Sequence, residues 1–248
     1  MRADLIYNGH SGREIAVALA TRPSVPPAVM RGDWIDLGSV DGSMLSTDGT
    51  YENITIECQL NYVCPPEKVG IQYRRVKEWI RGSGELCFTD DPDVYYRVKA
   101  AQVAEYARRT KGGADLIAAF ICDPYTYLKG GKYGEKKAFA ANNVADAIYL
   151  TNPGALAHPI YKITGGSSSK SAKIVVDYGT AFKVNRTDGI IVDTEKMMVY
   201  NSSGAQSFAS SGDFDDLLLS ETNEAHAIQI KENSAAVTLE VIPNWRML

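Results

Sequence analysis

The chain has 248 residues, 45% hydrophobic and 23% charged, a balance that excludes wholesale disorder and leaves room for one large or two modest cores without covalent staples. Its formal net charge of -4 argues against the clustered basic surface by which proteins grip nucleic acid. Its histidines, His10, His158 and His226, are far apart, and Cys58, Cys64, Cys87 and Cys122 lack the paired spacing of zinc sites, so no metal or cofactor is expected.

In chain order, the N-terminus has no apolar run long enough for a signal peptide, and the stretch 15–20 is far too short to span a bilayer. Synthesis and folding in a cytoplasm, with no membrane partner, are the expectation. The clearest early strand is 51–62. Ile54, Ile56, Cys58 and Leu60 line one face and Thr55, Glu57 and Gln59 the other, which predicts a half-buried strand in a sheet with a wet side. Cys58 continues the apolar alternation and reads as a small buried hydrophobe.

Val69, Tyr73, Val76 and Ile80 recur at helical spacing, predicting a helix that Pro65 and Pro66 open and that Gly82 and Gly84 stop. Leu86 and Phe88 then alternate as in a strand. Asp90-Asp91-Pro92-Asp93 predicts a tight turn, in which proline fixes φ and the carboxylates satisfy backbone donors. Val94 to Val98, with Tyr95 and Tyr96, resumes as a strand. The stretch 114–122 is more uniformly apolar and ends at Asp123-Pro124, which suits a strand covered on both faces and followed by a turn.

Between 127 and 138 the chain is cationic and glycine-bearing, and Gly130-Gly131-Lys132 reads as a hinge. Two domains are therefore expected, 1–130 and 131–248. The second shows strand signals at 147–150, 160–163, 173–178, 181–184, 189–192, 197–200, 227–231 and 236–242, separated by turn-formers. This spacing predicts an antiparallel sandwich. The segment 213–219 fits either a helical turn or an exposed loop. The fold class is mainly β: an α+β first domain with one main helix, then a β-sandwich.

The run from Trp79 through a glycine break and a short apolar strand to Asp90-Asp91-Pro92 and Tyr95-Tyr96 resembles the distal tail protein (Dit) family of siphophages, the long-tailed phages with flexible tails. Leu5-Ile6-Tyr7-Asn8-Gly9 is similar to that family's opening strand and turn, and the stretch from Gly130 to its crossover into a second domain. Asn152-Pro153-Gly154 with Pro159 to Gly165 resembles the start of its galectin-like domain, and Ile242-Pro243-Asn244-Trp245-Arg246 its last strand. The resemblance implies a structural protein of the virion tail tip, made in the bacterial host cytoplasm. It implies a homohexameric ring built by the first domain, between the tail tube protein and a tail-associated lysin or fibre protein. Receptor-binding proteins would attach to the second domain, and DNA would pass through the lumen without specific binding.

Two other readings compete. Adjacent Asp90 and Asp91 raise a hydrolase, because glycosidic cleavage uses two carboxyls flanking the bond at ~5 to 9 Å. Neighbours at one turn do not face each other across a substrate, and neither a nucleophile elbow nor a phosphate-binding loop is present, so no enzyme and no catalytic residue are expected. The alternative is a carbohydrate-binding module for host cell-surface glycans. It would stack sugars on an aromatic surface drawn from Tyr149, Tyr161 and Trp245, with Tyr178 and Tyr200 nearby in sequence.

Overall fold

The structure, a computed structural model, describes residues 3–38, 41–143, 145–202, 204, 210–222 and 224–248. The chain divides into two units, Met1–Tyr127 with Leu248, and Leu128–Met247. The first holds β1 (Leu5–Tyr7), β2 (His10–Ser11), β3 (Ala18–Leu19), β4 (Met30–Asp36), β5 (Ser43–Tyr51), β6 (Ile54–Val63), α1 (Val69–Trp79), β7 (Gly82–Phe88), β8 (Asp91–Thr110) and β9 (Gly113–Leu128). Its main sheet runs in the order β2-β1-β7-β8-β9-β6-β3, while β4 and β5, among the described residues, pair with each other in a separate two-stranded sheet. Among the described residues α1 is the one α-helix, and no helix is long and apolar enough to cross a membrane.

Asn8 and Gly9, with φ 51 and 80, form the two-residue link between β1 and β2, where Tyr7 pairs with His10. Two left-handed central residues give the primed turn whose twist matches a hairpin, and Asn-Gly is the pair best suited to it. Asn8 Oδ1 also accepts the Glu85 N–H at 2.9 Å, tying the turn to β7.

The core of this unit lies on one sheet face. Ile56, Cys58 and Leu60 of β6 oppose Phe120, Ala118 and Leu116 of β9 in antiparallel register, and all six are buried. Burial of each large apolar side chain stabilises the unit by about 1.5–3 kcal/mol. Val69, Val76 and Ile80 turn α1 toward this core. Tyr62 OH donates to Val69 O at 3.1 Å and the Tyr73 ring lies 4.1 Å from that of Tyr106, contacts that fall on the first part of the helix.

Several local expectations need correction. The strand expected over 51–62 is two strands: Tyr51 ends β5 and β6 begins at Ile54, with the Glu52 N–H donated to Val29 O between them. The helix ends before its glycines, at Ile80, whose N–H still reaches Val76 O at 2.8 Å. Gly82, with φ 75, instead opens β7. β9 continues through Pro124 to Leu128 and is not covered on both faces, since Ile121 is 36% exposed.

The second unit holds β10 (Glu135–Phe139), β11 (Ile148–Leu150), β12 (Ile160–Thr164), β13 (Ala172–Val176), β14 (Phe182–Val184), β15 (Ile190–Asp193), β16 (Met198–Asn201), β17 (Ser210–Ser211), β18 (His226–Lys231), β19 (Val237–Ile242) and β20 (Arg246–Met247). Two five-stranded sheets, β10-β19-β12-β15-β16 and β11-β18-β13-β14-β17, share one core in which Tyr161, Ile163 and Leu239 of the first sheet meet Ile174, Phe182 and Ile228 of the second. Within 213–219 a short 3-10 turn spans Asp215–Leu217: Asp213 and Asp215 are exposed, while Leu217 and, just beyond it, Leu219 are fully buried, and Tyr161 OH donates to Leu217 O at 2.6 Å. Asn244 takes φ 53 and donates from Nδ2 to His158 O at 2.9 Å, a left-handed position that asparagine tolerates.

Candidate functional site

The Asp-Asp-Pro-x-x-Tyr-Tyr element is a joint within the first unit. Its turn is one residue earlier than expected: Phe88 pairs with Asp91, so Thr89 and Asp90 form the loop and Pro92 already lies in β8. At the start of a strand the missing proline N–H costs the ladder little. Asp90 does not cap the turn. Its Oδ2 accepts from Arg22 Nε at 3.0 Å, and the same guanidinium sits 3.7 Å from the centre of the Phe88 ring. With its partners one third to two fifths exposed, this ion pair contributes no more than about 1 kcal/mol.

Tyr95 and Tyr96 are both buried, on opposite faces, as strand alternation requires. Tyr96 joins the core, 6.4 Å from Phe88. Tyr95 joins a separate aromatic row, Tyr95–Tyr127 at 5.4 Å and Tyr127–Tyr125 at 6.5 Å, over which the Arg97 guanidinium lies 4.0 Å from the Tyr127 ring. Trp79 packs beside Gly12 and donates from Nε1 to Tyr7 O at 3.4 Å. These residues pack both faces of the sheet and offer no facing pair of carboxylates.

The feature that the sequence reading missed is the β4–β5 arm. No residue of either strand is buried, yet Trp34 is 70%, Met44 52%, Leu37 46% and Ile35 44% exposed. Register puts Trp34 opposite Leu45 on one face and Ile35 opposite Met44 on the other. Each face of the arm therefore carries one apolar cross-strand pair among polar neighbours. Gly32 is obligatory, since a Cβ there would sit 2.4 Å from Ser46 O. Asp48 accepts from Thr50 N–H at 2.9 Å and Thr50 Oγ1 at 2.6 Å, bonds that hold its carboxyl below the ordinary range. Over the arm Asp33, Asp36, Asp41 and Asp48 oppose Arg31 alone. Glycines at 32, 38, 42 and 49 around Trp34-Ile35 were the available signal.

In the second unit the three aromatics expected to form one surface do not gather. Tyr161 is fully buried, Trp245 is half-buried against the core, and Tyr149 is 63% exposed. Tyr161 sits on a strand whose inward positions supply the core, and burial pushes its phenol well above the ordinary range. The Trp245 backbone runs against Gly131, where a Cβ would lie 2.3 Å from the Trp245 main-chain nitrogen. Tyr200 lies 3.5 Å from the Asp193 carboxylate, which Lys196 also holds at 2.9 Å. Among the described residues no group of three or more His, Cys, Asp or Glu side chains is placed to hold a metal ion.

The mainly β, two-unit chain has a fold likeness among solved structures. The crystal structure of the SPP1 Dit (gp 19.1) protein, described as a paradigm of hub adsorption apparatus in Gram-positive infecting phages, matches at TM-score 0.70 and 12% identity, over 100% of each chain. No protein-family model matches the chain, and no curated protein matches it. At that identity the likeness is one of fold.

Proposed function

We propose that this chain is the distal tail protein of a phage or prophage, a structural hub and not an enzyme. The observation that carries the reading is a fold likeness spanning both chains end to end, with a subunit of an adsorption hub. Six copies form a ring through the first unit. The ring joins the tail tube protein to a tail-associated lysin or fibre protein, and its lumen passes DNA without gripping it. The second unit, which we read as galectin-like, gives receptor-binding proteins an attachment surface. Its place is the tip of the virion tail.

Ring closure needs a heterologous interface, one face of each copy on a different face of the next. The arm supports this reading, because Trp34, Ile35 and Met44 stand exposed on its two faces and exposed apolar patches mark interfaces. It is acidic, and the outer side of α1 carries Arg74, Arg75 and Lys77 around Ile71, which is 47% exposed. We assign that side of α1 on the next copy as the arm's partner. Native mass spectrometry and light scattering test the ring: a discrete hexamer supports it, and a species that stays monomeric with its tail-tube and lysin partners present overturns it.

A further inference from the structure

The outer face of the sheet β11-β18-β13-β14-β17 carries a buried polar group without a partner, Gln229. Along β18, Ile228 and Ile230 point into the core, which leaves Ala227, Gln229 and Lys231 on the outer face. Gln229 is only 3% exposed, yet its amide oxygen has no hydrogen-bond partner. A buried acceptor left without a donor is costly and calls for an explanation.

Two exposed tyrosines frame this position. Tyr149 stands opposite Ala227 in the β11–β18 ladder, and Tyr178, 72% exposed, follows β13, whose Val175 pairs with Gln229. Lys231 Nζ lies 5.5 Å from the centre of the Tyr178 ring, so both side chains reach over the face that carries Gln229. Tyr178 is held at φ 60 in a turn closed by Gly179 N–H on Val176 O at 2.8 Å. Positive charge is in excess here: Lys173 pairs with both Lys183 and Lys231 in register. Of the nearby carboxylates, Glu232 holds Lys173 at 2.6 Å, and Asp177 is engaged by Ala227 N–H at 2.8 Å and His226 Nδ1 at 2.5 Å.

We propose that this face binds an anionic glycan. The apolar face of a sugar ring stacks on Tyr149 or Tyr178, as aromatic rings with apolar bodies permit. A sugar hydroxyl donates to the Gln229 amide oxygen as Lys231 and Tyr178 part, and the negative group of the chain meets Lys183 and Lys231. The charge on this face contrasts with the net -4 of the whole chain, which favours an acidic ligand over a neutral one. All of these residues lie in one unit of one copy, so the site is independent of ring formation.

Calorimetric titration of the full chain with a galacturonate oligosaccharide, a phosphodiester-linked glucose oligosaccharide and a neutral dextran oligosaccharide tests this. Binding is expected to at least one of the anionic probes, weakening with added salt, and not to dextran; the probe that binds distinguishes carboxylate from phosphate. Tyr149→Ala and Tyr178→Asn, both exposed changes and the second compatible with the left-handed turn, should each weaken binding about tenfold or more, a loss of ~1.4 kcal/mol. Gln229→Leu should weaken it as well. Absence of binding to both anionic probes, equal binding to dextran, or unchanged affinity in the two tyrosine variants overturns the proposal, whether or not the ring forms.

Discussion

Burial sorts the cysteines into two chemical classes. Cys58 and Cys122 lie inside the first core, where desolvation pushes both thiols up to about 12, whereas Cys64 and Cys87 are only half-buried. Because the thiolate is the reactive form, native alkylation followed by mass spectrometry should label Cys64 and Cys87 first and leave Cys58 and Cys122 protected until unfolding. Equal labelling rates would contradict this packing. His158 supplies a pH test in the second unit. Burial, and then the Arg246 charge, hold its imidazole below the ordinary value, and its Nδ1 has no hydrogen-bond partner. As pH falls through the unfolded value of about 6.5, the unfolded chain binds a proton that the native state resists, so stability falls. Melting temperatures should therefore drop more steeply toward low pH in the wild type than in His158→Phe, and identical slopes would show that the ring is not held neutral.

Single residues were legible from sequence where alternation or helical spacing fixed a face. Cys58 is the clear example, predicted buried from its place among Ile54, Ile56 and Leu60 and fully buried in the structure. Tyr161 was not legible as core, because an aromatic on a short strand reads equally well as outward until the strand is placed between β15 and β19.

Among the elements, α1 was readable because its apolar positions repeat over several turns and glycines follow it. The arm was not. Its strands carry apolar residues on both faces, so alternation fails as a signal, and no local pattern reveals that those residues stay exposed. This exposure gives the arm a separable effect. Trp34→Ala with Met44→Ala should change the melting of the isolated subunit by no more than about 0.5 kcal/mol, as for surface positions, while disrupting assembly. Phe120→Ala in the core, by contrast, should cost roughly 3–5 kcal/mol and lower the melting of the first unit directly. Chemical denaturation of each variant, read by tryptophan fluorescence and circular dichroism, distinguishes the two. The Asp-Asp-Pro element was legible as strand, turn and strand, but not in register: pairing of Phe88 with Asp91 is a tertiary choice that moves the turn and frees Asp90 to meet Arg22.

For the molecule as a whole, a mainly β chain could be read from strand spacing. The likeness to a hub protein at 12% identity shows how little sequence that fold requires once its core alternation and turns are kept. The proposed assembly rests instead on the exposed apolar residues of β4–β5, which become visible only when both faces of that hairpin are seen in place. The most direct measurement is the mass of the purified assembly by native mass spectrometry, for the wild type and for the Trp34→Ala, Met44→Ala double variant. A hub predicts a wild-type species of six 27.1 kDa chains that collapses to folded monomers in the variant; a wild type that remains one chain in the presence of its tail-tube and lysin partners, or a variant that assembles as the wild type does, would contradict the account.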